Sequence, residues 1–95
     1  MNSLLLKEIR EFADPENEEQ LKRLDDAILA IDPGTCREAH FRAMLGVFER
    51  FPDKDGFGVF WGILHALEAC DGYGAELLES VKRLPCHFNL LMINR

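Results

Sequence analysis

Apolar residues recur every three or four positions along most of the chain, which is the period of an amphipathic α-helix. The pattern is clear in four blocks of the sequence: Leu5, Ile9 and Phe12; Leu21, Leu24, Ile28 and Ile31; Phe41, Leu45 and Phe48; Leu77, Leu78 and Val81. No block alternates convincingly with the period of two that marks a half-buried strand. The pattern therefore predicts an all-α fold of five to six short antiparallel helices.

Residues that interrupt helices separate these blocks: Pro15, Pro33, Pro52, Pro85 and the segment "DGYG" at 71–74. The first three prolines are spaced 18 and 19 residues apart. This spacing is typical of stacked helix hairpins, as in HEAT-like repeats, although a compact irregular bundle is also compatible with it. A fourth helix is expected from about Gly56 to Cys70, and a sixth from near Pro85 to the end of the chain.

Two helix starts are predicted from capping residues. Asp14 is predicted as the N-cap of the second helix, with Pro15 at the first helical position, where proline is common. Thr35 and Glu38 have the spacing of a capping box, which predicts that the third helix opens there.

Length and composition favour a single soluble domain over residues 1–95. Hydrophobic residues make up 47% and charged residues 29% of the chain, which is ordinary for a globular protein. The apolar run from Gly56 to Leu67 is shorter than the roughly 20 residues of a membrane span. The N-terminus lacks a signal-peptide pattern. We therefore expect a cytoplasmic protein with no membrane partner.

Two features of the chain leave questions open. The three cysteines form no C-x-x-C motif, so reduced thiols are the simplest expectation. The apolar stretch 90–93 near the C-terminus carries no helix-stop signal. Either the natural chain continues beyond Arg95 or this helix docks against its neighbours.

Negative charge is concentrated in the first third of the chain. The net charge is −6, and residues 1–32 hold nine acidic and four basic side chains. An acidic surface argues against a nucleic-acid partner and fits a basic protein partner, or simply solubility. The centre of such a docking surface is predicted at five residues: Glu16, Glu18, Glu19, Asp25 and Asp26.

The sequence contains no complete constellation for catalysis or cofactor binding. "DKDG" at 53–56 has only two alternating acids, and glycine stands where a calcium loop needs its glutamate. The spacing predicts instead a turn whose aspartates cap the next helix. We expect no enzyme, no catalytic residue, no metal and no cofactor. A small metal or hydrolase protein centred on His65, Glu68 and a cysteine is a weaker hypothesis.

The fourth helix carries a stripe of small residues that also contains a histidine. At about 100° per residue, Gly58, Gly62, His65 and Ala69 share one face. One interpretation makes His65 a buried core residue that hydrogen-bonds Glu68 or a carbonyl group. The other places Trp61, His65 and Glu68 on an exposed surface that contacts a partner, with tryptophan as the anchor.

"FWGILHALEAC", "DGYGAELLES" and the closing "NLLMINR" carry a resemblance to a known family. Over about residues 51–95 the chain resembles the immunity protein 30 family of bacterial polymorphic toxin systems. The resemblance implies an all-helical cytoplasmic antitoxin that binds and neutralises a cognate toxin, which could be a basic protein such as a nuclease domain. It places His65 and Glu68 among the signature positions.

Two functional hypotheses therefore stand. The first is an immunity protein that acts by direct binding. The alternative is a HEAT-like protein–protein interaction module unrelated to toxins. In either case an acidic surface with an aromatic residue could also close a homodimer.

Overall fold

A computed structural model describes residues 2–95, with side chains from residue 4 onward. It contains six helices: α1 (Asn2–Glu11), α2 (Glu18–Leu29), α3 (Glu38–Arg50), α4 (Val59–Ala69), α5 (Gly74–Arg83) and α6 (His87–Ile93). Two short 3₁₀ turns lie at Pro33–Thr35 and Gly56–Gly58. No strand occurs within the described residues, so the all-α prediction is confirmed.

The helices pack in two layers. α3 lies between α1 and α5 in one layer, and α4 lies between α2 and α6 in the other. Successive pairs, α1 with α2, α3 with α4 and α5 with α6, join the layers. Of the two predicted arrangements, this contact pattern matches three stacked helix hairpins, as the proline spacing suggests.

The predicted start of the second helix is wrong. The side chain of Asp14 accepts a hydrogen bond from the N–H of Glu16 at 2.9 Å and so closes a local turn. The helix begins at Glu18, where the side chain of Asn17 accepts from the N–H of Gln20 at 3.0 Å. Aspartate closes such turns as readily as it caps helices, and the turn is formed here.

The predicted capping box at Thr35 is also wrong, because Thr35 belongs to a 3₁₀ turn capped by Asp32. α3 starts at Glu38, and His40 Nδ1 accepts a hydrogen bond from the N–H of Arg37 at 3.1 Å. Burial, with a smaller effect from the charge of Arg37, lowers the pKa of His40. This favours the neutral ring that an accepting Nδ1 requires.

Five phenylalanines form the aromatic centre of the core. The ring of Phe60, on α4, lies 6.1 Å from the rings of Phe12 and Phe48. It lies 6.4 Å from Phe51 and 6.1 Å from Phe88. Because these rings come from both layers, Phe60 connects the hairpins to one another.

The cysteines differ from the expectation of three reduced thiols. Cys36, just before α3, and Cys70, at the end of α4, are bonded as a disulfide with their Cα atoms 6.1 Å apart. They are 34 residues apart in sequence, so spacing alone gave no sign of the pair. Cys86 is free and buried, and burial raises the pKa of its thiol.

A polar network joins α3 to α5. Glu49 accepts hydrogen bonds from Ser80 Oγ at 2.7 Å and from Arg83 Nε at 2.8 Å. Burial alone would raise the pKa of Glu49, but the hydrogen bonds from Arg83 and Ser80 outweigh it and lower the pKa. The carboxylate is therefore held in its charged form between the two helices.

Asn89 extends this network to α6. Its amide nitrogen donates to Ser80 Oγ and to the carbonyl of Leu84, both at 3.0 Å. Its amide oxygen accepts from the N–H of Cys86 at 2.8 Å. The side chain is fully buried, so its removal would leave the carbonyl of Leu84 and the N–H of Cys86 without this partner, while Ser80 Oγ would keep its hydrogen bond to Glu49.

We expect Asn89→Ala to lower the free energy of unfolding by about 2–4 kcal/mol, because it leaves buried polar groups unpaired and creates a cavity. Asn94→Ala is the matched control, since Asn94 is exposed and directly follows the same helix. Asn94→Ala should lower the free energy of unfolding by no more than about 0.5 kcal/mol. Urea unfolding of both variants measures the difference, and equal losses would show that the network does not hold α6.

Candidate functional site

The turn before α4 has an unusual backbone. Three consecutive residues have positive φ: Gly56 at 58°, Phe57 at 52° and Gly58 at 92°. The side chain of Asp55 accepts from the N–H of Phe57 at 3.1 Å, and its carbonyl accepts from the N–H groups of Gly58 and Phe60. Asp55 thus caps the 3₁₀ turn, while α4 begins three residues later than predicted.

Gly56 fixes this turn against the core. A Cβ atom on Gly56 would lie 2.8 Å from two ring atoms of Phe60 and 3.1 Å from a methyl group of Leu21. Gly58 has the same sign of φ, but no atom lies within 4 Å of the corresponding position. The two glycines therefore serve different needs: Gly56 permits a close approach, and Gly58 permits only a backbone conformation.

Phe57 points away from the core, with 78% of its surface exposed. A bulky residue with positive φ costs on the order of 1–3 kcal/mol, and such strain is concentrated at functional sites. Packing within the chain offsets little of that cost, because most of the ring is in solvent. Phe57 is therefore a candidate partner-contacting residue.

Sequence reasoning missed Phe57. The available signal was an aromatic residue between two glycines in a loop, "DGFGV", where a side chain is held on a turn. The periodicity predicts a helix from Gly56, in which Phe57 would share a stripe with Trp61 and Leu64.

Two depressions meet at Phe57. One, of about 550 Å³, is lined mainly by the loop 53–57 and reaches His87. The other, of about 680 Å³, runs between α2 and the turn, and we call it the α2 groove. Seven residues line it: Glu16, Glu18, Leu21, Lys22, Asp25, Phe57 and Val59. Glu16 and Phe57 belong to both depressions.

The α2 groove carries more acidic than basic groups. Glu16 pairs with Lys54 at 3.1 Å, and Lys22 pairs with Asp26 at 3.7 Å. Within residues 4–95, no ion pair involves Glu18 or Asp25.

The five predicted acidic residues do not form one cluster. Glu16, Glu18 and Asp25 come together in the α2 groove. Asp26 lines a separate depression beside Leu4 on α1, and Glu19 is exposed on α2. The helical period explains this division, because neighbours in sequence point about 100° apart on a helix.

Trp61 and His65 lie together on α4, with ring centroids 6.3 Å apart. Trp61 is 38% exposed, and its ring meets the ring of Phe88 edge-on at 5.3 Å. His65 is exposed, so the interpretation that makes it a buried core histidine is wrong. Gly62, which was predicted to share a stripe with His65, faces α2, since a Cβ atom on Gly62 would lie 3.7 Å from Asp25 Oδ1.

Glu68 does not pair with His65. Both of its oxygens accept hydrogen bonds from Arg95, at the end of the described chain. Glu68 thus ties Arg95 to α4. The partner surface of Trp61, His65 and Glu68 stays a prediction, with Trp61 and His65 adjacent and Glu68 engaged by Arg95.

Within the described part of the chain, no three His, Cys, Asp or Glu side chains lie close enough together to hold a metal ion. Across residues 2–95, no helix is both long enough and apolar enough to cross a membrane.

Comparisons with protein-family models, with curated proteins and with solved structures found no match to this chain. The resemblance to immunity protein 30 therefore stays a prediction.

We expect Phe57→Asn to leave the free energy of unfolding unchanged or to raise it by up to about 1 kcal/mol. Asparagine tolerates positive φ better than phenylalanine, and the ring that it replaces is mostly exposed. Phe60→Ala, which removes a fully buried ring, should cost about 3–5 kcal/mol. Denaturant unfolding compares the two, and a loss above about 1 kcal/mol for Phe57→Asn would mean that Phe57 serves folding.

Proposed function

We propose that this chain is an immunity protein, which binds a cognate bacterial toxin domain and neutralises it without catalysis. The observation that supports this most strongly is Phe57, a large aromatic side chain held in solvent at a conformational cost. Buried aromatic anchors supply much of the binding energy in protein interfaces. A protein partner that covers the ring would offset the strain of the turn.

Charge favours a basic toxin. The chain carries a net charge of −6, and the first third holds most of that excess. Complementary charge speeds association and disfavours wrong partners. Glu18 and Asp25, beside Phe57, are the acids placed to meet such a partner first. The same charge argues against nucleic acid or an anionic membrane as the direct partner.

The resemblance over residues 51–95 is the reason for proposing that the partner is a toxin. "FWGILHALEAC" forms most of α4 and its end, and "DGYGAELLES" forms the following turn and most of α5. α4 holds Phe60 and Trp61, so the resembling segment contains the centre of the core and one exposed aromatic.

We propose a cytoplasmic location, as expected for an antitoxin that protects its own cell. The Cys36–Cys70 disulfide argues the other way, since such bonds persist mainly in oxidising compartments. Thiol labelling under denaturing conditions, which also expose the buried Cys86, resolves this for protein taken directly from cells. Three labelled cysteines support the cytoplasm, and one labelled cysteine supports an oxidising compartment.

A second candidate is a general interaction module with no toxin partner. The stacked hairpins favour it, because such arrays present extended binding surfaces in many proteins. A homodimer through Phe57 would be one form of it.

Co-expression with the toxin encoded beside it should restore growth and give a stable complex. Reversing Glu18 and Asp25 to lysine should slow association about tenfold at low salt, because steering charge is lost. Reversing Glu38 and Glu79, exposed acids on α3 and α5, is the matched control, because it changes the net charge by the same amount, and it should slow association less.

Loss of both rescue and complex formation, with the neighbouring gene shown to be toxic, would contradict the immunity function. A complex with a different, non-toxic protein would support the interaction module instead.

A further inference from the structure

The α2 groove combines apolar walls with an acidic rim. Leu21 is buried at its base, Val59 is half-buried and the ring of Phe57 forms one side. A hydrocarbon chain would find apolar contacts along these three residues. The volume of about 680 Å³ accommodates a large side chain with part of its backbone.

The rim offers negative charge that forms no ion pair within residues 4–95. Glu18 and Asp25 border the groove, whereas Lys22, its one basic residue, pairs with Asp26 at 3.7 Å. A ligand that is apolar along its length and positive at its end would match both walls and rim. Lysine and arginine side chains have this form.

We infer that the α2 groove binds an arginine side chain presented by the protein partner. The methylene stem lies along Leu21 and Val59, the guanidinium stacks on the ring of Phe57, and its charge meets Glu18 and Asp25. Arginine fits better than lysine because its planar group stacks on aromatic rings and hydrogen-bonds carboxylates in pairs. This inference rests on the proposed function, since it specifies how that site recognises its partner.

Two other occupants are disfavoured by charge. A second copy of the chain would bring another net charge of −6 towards the same acidic rim. An anionic lipid surface would be repelled by the same carboxylates, although an exposed phenylalanine could otherwise enter a bilayer.

The test uses the full chain, labelled for NMR, and short capped peptides that differ at one position. The peptides carry arginine, lysine or citrulline, which is a neutral analogue of arginine. We expect saturable shifts at Leu21, Phe57 and Val59 with the arginine peptide, weaker binding with lysine, and little with citrulline. Equal binding of arginine and citrulline, or shifts spread evenly over exposed acids such as Glu38 and Glu79, would overturn the inference.

Variants locate the contacts. Glu18→Gln and Asp25→Asn should each weaken the arginine peptide about two- to fivefold. Phe57→Asn should weaken it about three- to tenfold, through loss of stacking. Glu38→Gln is the matched control and should leave the affinity unchanged. Unchanged affinity in all three groove variants would also overturn the inference.

Other occupants give distinct results. Concentration-dependent dimerisation that disappears in Phe57→Asn would assign the groove to a second copy. Binding to phosphatidylglycerol vesicles that depends on Phe57 would assign it to a membrane. Either result would overturn the arginine assignment.

Rescue of growth tests the proposed function separately from arginine binding. Toxin rescue without arginine binding would reject this use of the groove and leave the immunity function standing. Arginine binding without toxin rescue would leave this use of the groove standing and reject the immunity function.

Discussion

The approach of Gly56 to Phe60 is the constraint on which the candidate site depends. Only a residue without a Cβ atom fits there, because that atom would lie 2.8 Å from a ring that is itself fully buried. The turn is therefore pinned to the centre of the core. Phe57, the next residue, is carried outward by the same backbone, so the core and the binding surface share one local geometry.

The stacking of hairpins places this turn beside α2. α2 and α4 are neighbours in one layer, and Leu21 contacts both the turn and the groove. Acidic residues from the first third of the chain thereby meet an aromatic residue from its second half. The groove exists only in the folded protein, because α2 brings its carboxylates and Leu21, whereas the turn and the start of α4 bring Phe57 and Val59.

The sequence predicted the fold class and the number of helices well, because periodicity reports which residues are buried. It predicted helix boundaries less well, because the side chains of aspartate and threonine occur in turns as readily as at helix N-caps. In the structure Asp14 closes a turn and Thr35 lies in a 3₁₀ turn. His65 looked like a core residue because α4 is apolar on most sides, yet tertiary packing left it exposed. Three of the five predicted acids line the groove, whereas Phe57 and the Cys36–Cys70 bond depend on contacts that spacing does not encode.

The most direct test of this account compares two glycines in the same turn. Gly56→Ala and Gly58→Ala place a methyl group at positive φ, so both lose about 1 kcal/mol from the backbone alone. Only Gly56→Ala also forces an atom against Phe60 and Leu21. We predict that it lowers the free energy of unfolding by about 3 kcal/mol or more, through added overpacking. Equal losses for the two variants would contradict the claim that this contact fixes the turn.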